Sequence, residues 1–160
     1  MKYKTVEELD KINVHGASGW HIAAWNGTFK DIPSSFFNKK SLDIKDDNGQ
    51  TVWHAAARNC LNNIPAHLFT KEALEQRYKG DTVFHLACLH NTINSVPDSL
   101  LNIESFEIQN NAGKTPDYYI SIPAIKERIN YILGYQRILK SECMNKPIIS
   151  SNVEIEDFSL

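Results

Sequence analysis

The sequence predicts an all-α solenoid of helix-turn-helix repeats, each with a turn or hairpin at its tip. Three similar segments, "GASGWHIAAWNG", "GQTVWHAAARN" and "GDTVFHLACLHN", start at Gly16, Gly49 and Gly80. A partial copy, "GKTPDYYI", starts at Gly113, so these glycines lie 33, 31 and 33 residues apart. A second landmark, Ile-Pro or Val-Pro, follows in phase at Ile32, Ile64, Val96 and Ile122. Two landmarks that recur together at this period indicate stacked repeats.

The segment from Gly49 to Lys79 shows what one repeat contains. "DDNG" ahead of it is rich in turn-forming residues, and Thr51 lies where a side-chain oxygen would cap a helix. The run "VWHAAAR" predicts a short first helix, and we expect Ile64-Pro65 to open a second helix over "PAHLFTKEAL". Neither helix is long enough to be stable alone, so neighbouring units must bury the apolar faces.

The Gly-x-Thr-x-x-His-x-Ala-Ala frame resembles the ankyrin repeat, whose signature is T-P-L-H-x-A. The matching residues are Gly49, Thr51, His54, Ala56 and Ala57; Gly80, Thr82, His85 and Ala87; and Gly16, Ser18, His21, Ala23 and Ala24. The fourth copy keeps Gly113, Thr115 and Pro116 but has Tyr118 in place of histidine. These repeats are short and divergent. Proline is missing before the aromatic residue in three copies, and Trp20, Trp53 and Phe84 replace the usual leucine.

The resemblance divides the chain into about three full repeats between two caps, together forming one domain over residues 1–140. The expected units are an amino-terminal cap at 1–15, repeats at 16–48, 49–79 and 80–112, and a carboxy-terminal cap at 113–140. Isoleucines at helical spacing from Pro123 onward predict a long helix in that last cap. Residues 141–160 are expected to be a flexible acidic tail.

Composition gives no attraction to nucleic acid or to a membrane. The net charge of −2 is small, and no stretch approaches the roughly 18 apolar residues of a membrane span. The cysteines Cys60, Cys88 and Cys143 are odd in number and show no close pair, which favours a reducing compartment. We therefore expect a cytoplasmic protein, including one delivered into a host cell.

The periodic histidines His21, His54 and His85 invite a metal or catalytic interpretation. Because they recur once per repeat, we expect them instead to hydrogen-bond between a turn and the neighbouring unit. Equivalent positions in adjacent units would lie about 8–10 Å apart, whereas zinc ligands lie about 2 Å from one ion. The sequence also lacks a nucleophile elbow, a phosphate loop and a dinucleotide fingerprint. We expect no metal, no cofactor and no catalytic residue.

In the ankyrin family the turn tips and the exposed side of the first helices form a concave partner-binding face. The resemblance therefore implies fifteen partner-binding residues: Val14, His15, Trp25, Asn26, Asp47, Asn48, Gln50, Arg58, Tyr78, Lys79, Asp81, Leu89, His90, Asn111 and Lys114. Trp25, Arg58 and Tyr78 are residue types that dominate binding energy at interfaces. The alternative for Trp25 is packing against the amino-terminal cap.

These observations predict a non-enzymatic protein-binding module: an inhibitor, adaptor or effector that binds a host or competitor protein. A second hypothesis is a structural subunit that self-assembles through the carboxy-terminal helix, where Tyr131, Tyr135 and Ile138 lie outside the inward stripe. The sequence leaves open whether the chain is a monomer or a homo-oligomer. A metal-dependent hydrolase that uses histidine and cysteine is the least favoured hypothesis.

Overall fold

The computed structural model describes residues 5–144, and this part of the chain is mostly helical, as predicted. Its eight α-helices are α1 (Val6–Asp10), α2 (Gly19–Trp25), α3 (Lys39–Leu42), α4 (Val52–Ala56), α5 (Lys71–Glu75), α6 (Val83–Leu89), α7 (Ile103–Phe106) and α8 (Pro123–Met144). One antiparallel hairpin joins β1 (Arg77–Tyr78) to β2 (Asp81–Thr82). Helix α2 packs against α4, and α4 packs against α6.

Helices α2, α4 and α6 begin at the repeated motif. The N-cap hydroxyls of Ser18, Thr51 and Thr82 each accept a hydrogen bond from the main-chain N–H of the histidine three residues later, at 3.4 Å. The histidine Nδ1 in turn accepts from the main-chain N–H of its N-cap residue. Each copy therefore has a reciprocal capping box in which histidine takes the place of the usual glutamate or glutamine. The predicted cap at Thr51 is confirmed.

The prediction that Ile-Pro or Val-Pro opens a second α-helix is wrong. Each proline instead separates two 3₁₀ turns: Phe29–Asp31 from Ser34–Phe36, Leu61–Asn63 from Ala66–Leu68, and Ile93–Ser95 from Asp98–Leu100. Pro65 is extended, with φ −55° and ψ 132°, and so is Ile64 before it, with φ −81° and ψ 130°. Proline forces the preceding residue out of the helical region, so no helix can run through the landmark.

A helix of about one turn follows each pair of 3₁₀ turns. Asn38, Thr70 and Asn102 cap α3, α5 and α7, accepting main-chain N–H bonds from the residue three positions later at 2.9, 3.2 and 2.9 Å. These caps lie 32 residues apart, in phase with the other landmarks. They are the sequence signal that could have located the one-turn α-helix that ends each copy.

The large aromatic residues of the motif fill the core between these layers. Trp20, Trp53 and Phe84 are fully buried. Each contacts a phenylalanine from the segment that follows, with ring centroids 5.1 to 5.6 Å apart. The indole N–H groups of Trp20 and Trp53 donate to Asp10 and Asp43 at 2.8 and 3.2 Å. A buried tryptophan can replace leucine here because its polar atom has a partner.

The second copy is shorter because its first helix ends differently. After α2 and α6 the chain passes through a left-handed residue, Gly27 at φ 64° and Asn91 at φ 59°. The next residue in each case, Thr28 or Thr92, donates its N–H back to an alanine carbonyl of the helix. The second copy omits the left-handed residue, and Cys60 N–H binds the Ala56 carbonyl directly at 2.9 Å.

The long carboxy-terminal helix is confirmed as α8. Ile125, Ile129 and Leu133 are buried on its inward side. The amide of Gln136 accepts from Ile103 N at 3.2 Å and donates to the Leu101 carbonyl at 2.8 Å, which fixes α8 against α7. The first four residues of the expected tail, 141–144, belong to this helix. Residues 145–160 lie outside the described part of the chain.

A candidate protein-binding face

The turns ahead of the first helices are here called tips, and they comprise residues 13–17, 46–50, 78–81 and 110–114. In three tips one side-chain oxygen holds the turn: Oδ1 of Asn13, Asp46 or Asn110 accepts main-chain N–H bonds from two and four residues later. The third tip is the β1–β2 hairpin, where Lys79 and Gly80 have φ of 53° and 95°. Two successive positive φ values suit a tight hairpin turn.

Each periodic histidine binds the main chain at, or two residues ahead of, the tip of the next copy, as expected from its recurrence. His21 Nε2 donates to the Gln50 carbonyl at 3.0 Å and His54 Nε2 to the Gln76 carbonyl at 2.9 Å. His85 Nε2 donates to the Lys114 carbonyl at 2.9 Å. A carbonyl can only accept, while the main-chain N–H that faces Nδ1 can only donate. The two main-chain contacts therefore fix a neutral ring that carries its proton on Nε2.

The environment of these rings also disfavours their charged form. Burial lowers the pKa of His54 to about 4, although the bond to the Gln76 carbonyl opposes this shift. Burial likewise lowers the pKa of His21 and of His85, again against the effect of a carbonyl acceptor. At neutral pH all three rings are therefore uncharged hydrogen-bonding links.

Neighbouring tips also bind one another. Asp47 N donates to the His15 carbonyl at 3.2 Å, which joins the first two tips. Asn111 Nδ2 donates to the Lys79 carbonyl at 3.4 Å, which joins the last two. Arg77, just ahead of the third tip, donates to the Gly80 and Gln109 carbonyls at 2.7 and 3.0 Å. These bonds restrict the relative positions of the side chains that the tips carry.

Fourteen of the fifteen residues predicted to bind a partner are accessible, and we call these fourteen the candidate face. Eleven are exposed: Val14, His15, Trp25, Asn26, Asp47, Asn48, Arg58, Lys79, Leu89, His90 and Asn111. Tyr78, Asp81 and Lys114 are half-buried. The fifteenth predicted residue, Gln50, is buried, with a side chain only 4% exposed.

Trp25 contacts the second tip. It is the last residue of α2 and is 40% exposed. Its Nε1 donates to Gln50 Oε1 at 3.3 Å, and its ring lies against His21 with centroids 5.8 Å apart. The equivalent positions in the next two copies, Arg58 and Leu89, are also exposed. Trp25, Arg58 and Leu89 thus occupy equivalent positions in three successive copies, and their side chains differ in chemistry.

The candidate face carries charges of both signs at its tips, Lys79 and Lys114 being positive and Asp47 and Asp81 negative. Lys79 Nζ lies 5.2 Å from the ring centroid of Tyr78, and Lys114 Nζ lies 4.0 Å from that of Tyr118. Burial lowers the pKa of His90, and the nearby charge of Arg58 lowers it further.

Tyr118 is 61% exposed and was missed as a surface candidate. Its signal was the substitution of tyrosine for the periodic histidine in the fourth copy.

The remaining chemistry-bearing groups of residues 5–144 are dispersed or buried. Within that range no group of three His, Cys, Asp or Glu side chains is placed to hold a metal ion. No helix there has both the length and the apolar character to cross a membrane. The thiols of Cys60 and Cys88 are buried, and burial raises the pKa of Cys60 to about 12 and raises that of Cys88 as well.

No protein-family model matches this sequence, and no curated protein matches it either. The ankyrin resemblance therefore depends on the residues of the motif. The functional proposal depends on that resemblance together with the contacts of the tips and first helices.

The contact between the first two tips predicts unequal effects of two glycine substitutions. Gly16 and Gly49 both have positive φ, 70° and 80°, so alanine is strained at either position. A Cβ at Gly16 would lie 2.7 Å from Asp47 N, whereas a Cβ at Gly49 would meet nothing within 4 Å. We expect Gly16→Ala to lower the free energy of unfolding by about 2–4 kcal/mol and Gly49→Ala by about 1–2 kcal/mol. Urea unfolding measures both values, and equal losses would contradict the tip contact.

Because the periodic histidines are neutral in the folded chain, we expect its stability to fall at pH values above those at which carboxylates usually titrate. His54 has a pKa of about 4 in the folded chain against 6.5 as a free side chain, so the unfolded chain binds its proton first. Stability is therefore complete above pH 6.5 and is lost as the pH falls from 6.5 to about 4, by about 3 kcal/mol from His54 alone. Urea unfolding at successive pH values measures this loss.

The variant His54→Gln is the matched control for that measurement. Glutamine can complete the same capping box but has no titration in this range. The variant should be less stable at pH 7, since the Gln76 carbonyl loses its donor, and its stability should fall less between pH 6.5 and 4. Parallel pH profiles of the variant and the native protein would rule out His54 as the source.

Proposed function

We propose that residues 5–144 form a stack of ankyrin-like repeats that acts as a non-enzymatic protein-binding module. The histidine links support the stack, since each one joins a first helix to the main chain at or just ahead of the tip of the following copy. The packing of α2 on α4 and of α4 on α6 is what neighbouring repeats require. On this proposal the tips and first helices line the concave side.

The observation that carries the proposal is the pre-ordered row of accessible side chains. Tips one and two share a main-chain hydrogen bond, and tips three and four are joined through Asn111 and Arg77. A partner that binds Trp25, Arg58 and Tyr78 would therefore lose little conformational entropy of this chain. Tryptophan, arginine and tyrosine are also the residues that contribute most at interfaces.

Occupation of another protein's surface is sufficient for an inhibitor, an adaptor or an effector. We favour these roles, directed at a host or competitor protein, over a metal-dependent hydrolase. In the three periodic histidines both ring nitrogens already bind the main chain of the capped turn or the next tip. A metal would have to displace the same bonds that connect the copies.

The first test compares partner binding by two triple variants. The variant Trp25→Ala, Arg58→Ala, Tyr78→Ala truncates the candidate face, whereas Lys30→Ala, Ser35→Ala, His67→Ala truncates exposed residues of the 3₁₀ turns. A partner is captured with the native chain, identified, purified and titrated against all three proteins. We expect the face variant to lose about 100-fold or more in affinity, because interface truncations of this kind cost about 1–2 kcal/mol each.

The control variant should bind within about threefold of the native chain. Circular dichroism and urea unfolding establish that both variants are folded. Equal binding by a folded face variant would overturn the proposed face, and loss of binding in the control variant alone would move the site to the 3₁₀ turns.

A second candidate function, self-assembly, is favoured by the outer side of α8. Tyr131, Tyr135 and Ile138 lie at helical spacing and are 78%, 57% and 56% exposed. Gly134 lies among them in mid-helix, where glycine costs stability, and a Cβ there would meet nothing within 4 Å. A glycine in an exposed apolar stripe allows close approach of a second helix.

Sedimentation tests this candidate directly. If α8 mediates self-assembly, the native chain should show a concentration-dependent mass in the micromolar range. The double variant Tyr131→Glu, Ile138→Glu should then remain a monomer, because charge in the contact opposes pairing. A native chain that is monomeric throughout that range would exclude the candidate.

A further inference from the structure

We infer that Trp25 and Gln50 form an anchoring subsite for an extended segment of a partner protein, in which the Gln50 amide nitrogen donates to a main-chain carbonyl of that segment. This inference rests on the proposed protein-binding function and specifies its chemistry. The donor is the Gln50 amide nitrogen, which would bind a main-chain carbonyl. The apolar surface is the Trp25 ring, which would contact an apolar side chain.

The Gln50 amide is only half-satisfied. Its Oε1 accepts from Trp25 Nε1 at 3.3 Å, but its Nε2 is buried without a hydrogen-bond partner. Among residues 5–144 it is the one buried side-chain nitrogen or oxygen in that condition. An unpaired buried donor destabilises a fold, and such groups in native proteins require a specific explanation. An unoccupied binding subsite is such an explanation, since the missing acceptor would come from the partner.

An unpaired side chain is not a necessary result of a bond from a periodic histidine to a glutamine carbonyl. Gln76, two residues before the third tip, provides the comparison, because its main-chain carbonyl accepts from His54 as the Gln50 carbonyl accepts from His21. The Gln76 amide nitrogen, however, donates to Asp43 Oδ1 at 3.1 Å. Two glutamines that each bind a periodic histidine through the main chain thus differ in whether the side chain is satisfied.

Trp25 lies beside the unpaired donor. Its ring ends α2, is 40% exposed, donates to Gln50 Oε1 and contacts His21. For a partner to reach the Gln50 amide nitrogen, the Trp25 ring would have to rotate away from Gln50. The displaced ring would still offer a broad apolar surface, which is the usual role of tryptophan at an interface.

The occupant is therefore an extended peptide segment with an apolar side chain next to an accessible carbonyl. A main-chain carbonyl fits the donor because it accepts a hydrogen bond without burying a charge. Arg58, at the equivalent position of the next copy, and Lys79 at the third tip are offset on the same face by Asp47 and Asp81, so charge on this face favours neither acidic nor basic flanking residues.

The test uses a random twelve-residue peptide library displayed on phage and selected on the full-length chain. Enriched peptides are synthesised and titrated against the native protein, Gln50→Met and Gln76→Met. Methionine has nearly the shape of glutamine but cannot donate a hydrogen bond. We expect Gln50→Met to weaken binding about tenfold while its stability to urea stays the same or rises. Gln76→Met should do the reverse, with affinity within about twofold and lower stability.

Tryptophan fluorescence then locates the bound peptide. Trp20 and Trp53 are fully buried, so a shift of emission on peptide binding is expected from Trp25. The shift should be absent in Trp25→Phe. A shift of equal size in that variant would mean that the peptides bind elsewhere, and would overturn the inference.

Two further outcomes would overturn the inference while leaving the proposed function intact. Peptides that bind Gln50→Met as tightly as the native chain would show that the amide is not used. A loss of stability in Gln50→Met as large as that in Gln76→Met would show that water already satisfies the Gln50 amide in solution. Failure to enrich any peptide above an unrelated helical protein would count against both the subsite and the protein-binding function.

Discussion

The contact between a periodic histidine and the following tip determines much of this structure. The ring binds its own helix cap through Nδ1 and the next copy through Nε2, so a single neutral side chain fixes both a helix start and a neighbour. Between residues 5 and 122 no helix is longer than seven residues, which is too short for stability in isolation. The copies therefore depend on links between neighbours, and each of the three histidines supplies one such link.

One aromatic ring packs against each of the three periodic histidines. Trp25 lies against His21, Tyr78 against His54 and Tyr119 against His85, with centroids 5.8, 5.8 and 6.2 Å apart. The covering residue comes from the end of α2, from the hairpin, or from the 3₁₀ turn Pro116–Tyr119. Exclusion of water strengthens a buried hydrogen bond. Trp25 and Tyr78 therefore have a structural task, although the ring of Trp25 is also exposed and that of Tyr78 is half-buried.

The sequence was sufficient to predict the parts of the fold that depend on local chemistry. The cap at Thr51, the turn at Asp46 and the bonding role of the histidines follow from residue type and spacing. The second helices were predicted wrongly because proline was assigned to a first helical turn, whereas the extended residue before it separates two 3₁₀ turns. The caps at Asn38, Thr70 and Asn102 were readable but were not recognised. The burial of Gln50 depends on the position of Trp25, 25 residues earlier, and no local pattern contains that information.

On the proposed function, stability and recognition make opposing demands on the same few residues of the second tip. Asp46 holds the turn, the Gln50 carbonyl receives His21, and the Gln50 amide receives Trp25 while its own nitrogen stays unpaired. A fold selected for stability alone would place an apolar side chain at Gln50, since burial without a partner favours the unfolded chain. The third tip shows that the fold can satisfy such a group, because the amide of Gln76 beside it reaches Asp43. The unsatisfied amide therefore lies at the tip to which the exposed Trp25 donates a hydrogen bond, and this coincidence is the strongest reason to look for a partner there.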